Sequence, residues 1–467
     1  MKRASYRRIR IAFATLFMLL TIACFVVGDE KFARLASLHP GPLAVQIATG
    51  FAASSVVLGF FFLIATFLFG RFYCAAICPL GVMQDVLGLL RGKRKYDKKL
   101  PNLKALRYTI AAVTLALLIG GWAILLRYLD PFSRFGGMLS GFAQLANVES
   151  PISFMPFIFG TLLPFACLTT LVIWKRRVYC AAICPIGTIL GLFSKYGLWQ
   201  VRIAQTCTGC GLCEETCPVG CIDGGEREVD NERCIRCMNC VACCPNGSIS
   251  LSRQKKDESA PENPADPSRR IFILKGAALT FGVVSAGHIL GGPIRALARS
   301  NKSVPGLVLP PGAMDSGRFM SSCTSCQLCA LGCPTKVIRP SQYVLGPVHL
   351  EFDHGACHHD CTLCNEVCPS GALRRLSLED KQWLKIGEAS CDISKCRAVK
   401  ENVACYLCSK ICPKGAIYMI DAPNSPKNLE VPEVAAFHCI GCGACQSVCP
   451  MTPKAITVTG VEQTMMG

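Results

Sequence analysis

Charged residues are scarce in this chain: only 17% of its 467 residues are Asp, Glu, Lys or Arg, while 51% are hydrophobic. So little charge argues against a soluble enzyme of this length and for a membrane protein. Acidic residues are the scarcer sign, 31 against 49 basic ones, and the resulting net charge of +18 suggests a nucleic-acid partner. The placement of the basic residues excludes that partner. Residues 1–10 carry five Lys or Arg, 91–107 carry eight and 175–202 carry five, whereas 28–50 carry two and 128–152 carry one. This alternation follows the positive-inside rule, which puts the N-terminus and both later basic segments in the cytoplasm. Apolar stretches at 11–27, 45–70, 108–126 and 153–174 separate these segments. Each is long enough, or nearly so, to cross a hydrocarbon core of about 30 Å.

Also missing are the two well-separated Cys-x-x-Cys pairs of a zinc ribbon. Cysteine itself is abundant: 24 of the 33 cysteines fall into six groups that each end in Cys-Pro. Cys207, Cys210, Cys213 and Cys217 have the spacing of the bacterial ferredoxin run that ligates 4Fe–4S clusters, as do Cys234, Cys237, Cys240 and Cys244. In two-cluster ferredoxins the fourth cysteine serves the other cluster. One ligand set is therefore Cys207, Cys210, Cys213 and Cys244, and the other is Cys234, Cys237, Cys240 and Cys217, within one βαββαβ-like module.

Four further groups lie beyond residue 300. Cys323, Cys326, Cys329 and Cys333 are regular, as are Cys439, Cys442, Cys445 and Cys449. Cys357, Cys361, Cys364 and Cys368 include one extra residue, and Cys396 is separated by eight residues from Cys405, Cys408 and Cys412. These insertions lengthen a loop without removing a thiolate, so the expected total is about six clusters. Cys391 could replace Cys396 as a ligand. The expected pairing in this region is outer group with outer and inner with inner. Cys24 and Cys167 are expected to pack within apolar spans, and Cys221 and Cys243 to fill space beside ligands.

The apolar part of the chain is an internal repeat. Arg71-Phe-Tyr-Cys74-Ala-Ala-Ile-Cys78-Pro79-Leu-Gly81 returns as Arg177-Val-Tyr-Cys180-Ala-Ala-Ile-Cys184-Pro185-Ile-Gly187. Duplicated hairpins would bring Cys74, Cys78, Cys180 and Cys184 together at the inner membrane edge. In a helix each Cys pair would share one face. The four thiols could hold an iron–sulfur centre, cycle as dithiols or bind another metal. His39, Asp130 and Glu149, in the intervening external segments, are weak candidates for taking up quinol protons.

The expected domains are a four-helix transmembrane domain (1–199), a cytoplasmic dicluster module (200–251), a polar linker (252–267), a signal or anchor helix (268–299) and an exported four-cluster domain (300–467). Ser268-Arg269-Arg270-Ile271-Phe272-Ile273-Leu274-Lys275 looks like a twin-arginine signal, with an Ala-x-Ala site ending at Ala298. The expected fold class is a polytopic α-helical membrane domain with α+β ferredoxin-like 4Fe–4S domains on both sides of a bacterial inner membrane.

Residues 1–251 resemble the NapH/MauN proteins, with four spans, two Cys-x-x-x-Cys-Pro motifs and a dicluster ferredoxin. Residues 268–467 resemble the NapG/MauM proteins, exported ferredoxins with four clusters. The two halves are fused here. The resemblance implies a quinol dehydrogenase component that passes electrons from menaquinol or ubiquinol to a periplasmic reductase or cytochrome, such as a nitrate reductase. The chain lacks any substrate-reducing cofactor motif, so terminal reductase chemistry belongs to a partner. The competing readings are copper reduction for oxidase assembly at the repeated thiols, and a redox-sensing maturation factor.

Overall fold

The computed structural model describes residues 2–27, 30–49, 53–90, 103–120, 122–146, 157–175, 177–253, 306–340, 347–421 and 429–465. Glu149, the signal segment with Ala298 and most of the linker lie outside the described residues. The chain forms two compact units. One contains most of the apolar helices together with the first ferredoxin-like module, and the other contains the distal module.

In the first unit, helix α1 (Lys2–Val27) is, among the described residues, the one helix both long and apolar enough to cross a membrane. Ala53–Phe69 and Ile158–Trp174 are shorter apolar helices. The apolar stretch 45–70 is not one helix. Helix α2 (Glu30–Ser37) precedes it, and the stretch itself divides between α3 (Pro40–Thr49) and α4 (Ala53–Phe69). The Ser55 hydroxyl donates to Gln46 Oε1 at 2.6 Å, and the Gly59 backbone lies against Ile47, so the two helices pack side by side. A straight span would leave the Gln46 and Ser55 side chains facing hydrocarbon without partners, which is costly; the hairpin satisfies both.

The first ferredoxin-like module runs β1 (Trp199–Ile203), a helix over Leu212–Thr216, β2 (Ile222–Asp223), β3 (Glu228–Val229), a helix over Asn239–Cys243 and β4 (Ile249–Arg253). β1 pairs antiparallel with β4 from Trp199↔Arg253 to Ile203↔Ile249, and β2 pairs with β3. This is the expected βαββαβ order, and β4 carries the module two residues past its expected end. The distal unit repeats it: β7 (Leu384–Cys391), a helix over Leu407–Ile411, β8 (Ile417–Asp421), β9 (Glu430–Val434), a helix over Ala444–Val448 and β10 (Ile456–Met465). There β7 pairs with β10 and β8 with β9. Ahead of it, β5 (Ile338–Arg339) and β6 (His349–Leu350) form a third hairpin, between helices at Leu328–Gly332 and Leu363–Glu366.

Candidate functional site

Both copies of the repeated peptide use the proline after their second cysteine in the same way. Proline disfavours the helical region for the residue before it and starts a helix well at its own position. Cys78 and Cys184 accordingly sit extended at φ −63°, ψ 116° and φ −64°, ψ 114°, each capping a helix that begins at the next residue. The Cys184 sulfur accepts the Gly187 amide at 3.3 Å.

In the first ferredoxin module, Cys207, Cys210, Cys213 and Cys244 line one cavity, while Cys217, Cys234, Cys237 and Cys240 line another. These are the two sets expected from spacing. Cys221 is a fifth thiol in the second cavity, with its sulfur 3.6 Å from that of Cys217. Its S–H lowers the pKa of Cys217 and of Cys234, acting in each case as the largest cause. Cys221, expected to fill space beside ligands, thus lies within the second ligand set.

The distal unit corrects the expected pairing. Cys333 lines a cavity with Cys357, Cys361 and Cys364, and Cys368 stands in the field of Cys323, Cys326 and Cys329. Cys412 joins Cys439 and Cys442, while Cys396, Cys408 and Cys449 surround Cys391. Consecutive groups therefore pair, first with second and third with fourth. The reason is topological: each antiparallel hairpin returns the chain at once, so one group's fourth cysteine meets the next group's first three.

The repeated peptide forms the centre of the first unit. Tyr73 and Cys74 lie on α5 (Phe72–Ala76), but the equivalent Tyr179–Ile183 is a π-helical turn. Such turns are rare and concentrate at functional sites. Neither Cys pair shares a helix face, because the helix breaks before the second cysteine. Cys78 N instead bonds Tyr73 O at 2.9 Å, and Cys184 N bonds Tyr179 O at 2.9 Å, each closing a wider turn that brings its pair together. All four thiols are at most 8% exposed, and all interact electrostatically with one another. The repeat thus assembles the quartet, although not through the i, i+4 spacing.

Two buried arginines lock the halves by exchange. Arg71 Nη2 donates to Cys180 O at 3.3 Å, and Arg177 Nη1 donates to Cys74 O at 3.0 Å. Arg71 Nη2 also lies 3.9 Å from the Cys74 sulfur. Gly81 and Gly187 make room for this exchange, since a Cβ on Gly187 would press on Arg71 and one on Gly81 would press on the Cys74 carbonyl that Arg177 uses. Gln84 adds a hydrogen bond to the Cys180 sulfur at 3.2 Å. The exchange is not symmetric, however. Arg177 pairs with Asp85, which also holds Arg10, whereas Arg71 turns to the ferredoxin module and donates to Glu232 O at 3.2 Å and Arg233 O at 3.4 Å. Arg177 N reaches Pro218 O at 3.0 Å. Both arginines therefore end beside the module's second ligand set, next to Cys217 and Cys234. Arg107 and Glu232 form a buried ion pair that closes the same junction, with the Tyr108 hydroxyl donating to Glu232 at 2.7 Å.

These arginines and Glu232 do not stand out in the composition, where the basic residues read as topology alone. The available signal was the recurrence of Arg, Tyr and Gly at matching offsets around each Cys pair. His39 and Asp130, expected in external segments, lie near the tyrosines that precede the quartet's first cysteines: His39 Nδ1 is 2.9 Å from the Tyr73 hydroxyl, and Asp130 stands in the electrostatic field of Tyr73 and Tyr179. Among the described residues, no three His, Cys, Asp or Glu side chains converge as tightly as a single metal ion requires. The ferredoxin-group thiols line cavities instead, which suits clusters of several irons.

Comparison with known proteins agrees with this chemistry. Residues 51–97 and 154–203, the two halves of the repeat, match a family described as a 4Fe–4S binding domain. Residues 403–452 match a 4Fe–4S dicluster domain, and 201–223, 231–247 and 320–336 match further 4Fe–4S binding domains. The putative electron transport protein YccM of Escherichia coli is 26% identical, over 56% of this chain and 70% of its own length. The methylamine utilization ferredoxin-type protein MauN of Methylobacillus flagellatus is 26% identical, over 45% of this chain and 67% of its own. MauM of the same organism is 32% identical, over 41% of this chain and 83% of its own. No solved structure matches. With ferredoxin cysteine groups in both units and this cover of a MauM protein, the chain belongs to the MauM/MauN family of ferredoxin-type iron–sulfur electron-transfer proteins.

Proposed function

We propose that this chain is a polytopic inner-membrane protein that takes electrons from menaquinol or ubiquinol and delivers them to a periplasmic respiratory reductase of the nitrate reductase type. Six 4Fe–4S clusters are held by the six Cys-Pro groups, in the sets formed by consecutive groups. A further iron–sulfur centre is held by Cys74, Cys78, Cys180 and Cys184. Iron–sulfur centres supply one-electron chemistry, with potentials set by burial, charge and hydrogen bonds to sulfur. The protein's own contribution is to hold these centres in line and to exclude water from them. The N-terminus and first ferredoxin module are cytoplasmic, as the basic segments indicate, and the distal unit is periplasmic, exported by the twin-arginine segment. A hydrocarbon core of about 30 Å is too wide for one efficient electron hop, so an intermediate carrier is needed.

The observation that carries this reading is the arginine junction, which connects the thiol quartet through Arg71 to the main chain at Arg233, next to Cys234. The test is anaerobic purification of the full chain, followed by spectroscopically monitored reduction with a menaquinol analogue. The expected result is bleaching of the cluster absorbance. If none of the clusters is reduced with the periplasmic partner present, the reading is wrong.

A further inference from the structure

The two repeats place equivalent tyrosines, Tyr73 and Tyr179, directly ahead of their first cysteines. Their partners are not equivalent, because segments outside the repeated peptide supply them. Tyr73 meets His39, whose ring stacks on Phe132 at 4.5 Å. The Tyr179 hydroxyl donates to Leu129 O at 2.7 Å, one residue before Asp130. Asp130 is 1% exposed, and its Oδ2 accepts both the amide and the hydroxyl of Ser133 at 2.8 Å. That is an N-cap for the helix beginning at Pro131, and the Phe132 amide also faces the carboxylate. Oδ1 has no hydrogen bond, and the carboxylate lies against Gly41, where a Cβ would overlap it. A buried carboxylate oxygen without a partner costs stability and needs an explanation beyond the cap. Arg134 contributes a cation to its field, but its guanidinium lies over the Tyr128 ring at 5.3 Å.

We propose that His39 and Asp130 are the two proton acceptors of a quinol-oxidising site beside the thiol quartet, with Tyr73 and Tyr179 connecting them to it. This inference rests on the quinol reading above and adds the residues that carry it out. Oxidation of a quinol breaks two O–H bonds and releases two protons and two electrons, leaving the quinone. One proton goes to the His39 imidazole and the other to Asp130 Oδ1. The two electrons would leave one at a time, and an iron–sulfur centre held by Cys74, Cys78, Cys180 and Cys184 would supply the one-electron acceptor. Two acceptors of different chemistry, both near the repeat-related tyrosines, match a substrate that loses two protons in succession. The Gly41 contact leaves no space for a larger residue beside the carboxylate.

The test compares full-length wild-type protein with His39→Gln and Asp130→Asn, reduced anaerobically by a water-soluble menaquinol analogue and, separately, by dithionite. A positioned proton acceptor contributes at least about 100-fold in rate, so each variant should be slowed by about that factor. Iron content and the dithionite-reducible absorbance should match wild type. Asp130→Glu, which keeps a carboxylate, should recover part of the quinol rate that Asp130→Asn loses. Wild-type quinol rates in both single variants would overturn the inference. So would a loss of dithionite-reducible clusters in step with the quinol rate, which would make both residues structural supports. A wild-type protein that dithionite reduces and the quinol does not would overturn the quinol reading itself, and this inference with it.

Discussion

Replacing Arg71 with Gln removes a buried positive charge whose partners are all neutral: the carbonyls of Cys180, Glu232 and Arg233. Its Nη2 lies 3.9 Å from the Cys74 sulfur. At an effective dielectric of about 20, a unit charge at that distance is worth about 4 kcal/mol. An electron added to the iron–sulfur centre proposed for the quartet would spread over that centre and its four thiolates, so about half of that, roughly 2 kcal/mol, is the expected share. For a one-electron couple, about 1.4 kcal/mol corresponds to about 59 mV, so Arg71→Gln should lower the midpoint potential of this centre by about 90 mV. A redox titration followed by electron paramagnetic resonance, with iron content measured in parallel, is the assay. Arg71→Lys keeps the charge but loses the planar fork, and should shift the potential much less. Arg177→Gln should also shift it less, because Asp85 already offsets that cation. If Arg71→Gln moves the potential by less than about 20 mV with iron retained, this electrostatic account is wrong.

Glu232→Ala strands Arg107, which is only 2% exposed, and should cost about 3–5 kcal/mol at the junction; a thermal unfolding shift of under a degree in detergent would refute that. Cys396→Ser should remove about four irons per chain and Cys391→Ser none, since Cys396 is the more buried of the two thiols; iron analysis of the purified variants decides between them. His349 is held below its usual pKa of about 6.5 by burial and then by Arg339. The folded distal unit therefore keeps it neutral, while the unfolded chain protonates first as pH falls. Its stabilising share is complete above about pH 6.5 and is lost towards the lowered value, so denaturant titrations should show a weaker acid slope for His349→Gln. Gly443→Ala puts a Cβ into the Phe352 ring at a backbone φ of +78°, and should lower distal-unit stability by more than about 1 kcal/mol in the same titrations.

The parts of the site legible in the sequence are those governed by short spacing. Cys207 to Cys244 could be sorted into two ligand sets because the exchange of fourth cysteines follows from one compact βαββαβ order. The same exchange holds within Cys323–Cys449, but the expected outer-with-outer pairing does not, because hairpin connectivity, not distance from the ends of the domain, decides which groups meet. The thiol quartet was legible as a repeat, yet its local geometry was not. Nearly identical peptides give an α-helix at Phe72–Ala76 and a π-helical turn at Tyr179–Ile183. The arginines counted as topology because charge patterning sees only position along the chain. The reach of His39 to Tyr73 depends on the hairpin of α3 and α4, which the apolar stretch 45–70 conceals.

The exchanged arginines have a consequence for how such a protein is made and how it changes. Each half carries the guanidinium that secures the other half's cysteine loop, so neither half alone has a finished site. Co-expressed as two separate polypeptides, the halves should bind iron only after they find one another. The clasp thus acts as an assembly checkpoint, and a duplicated gene segment that acquired it could no longer drift independently of its twin.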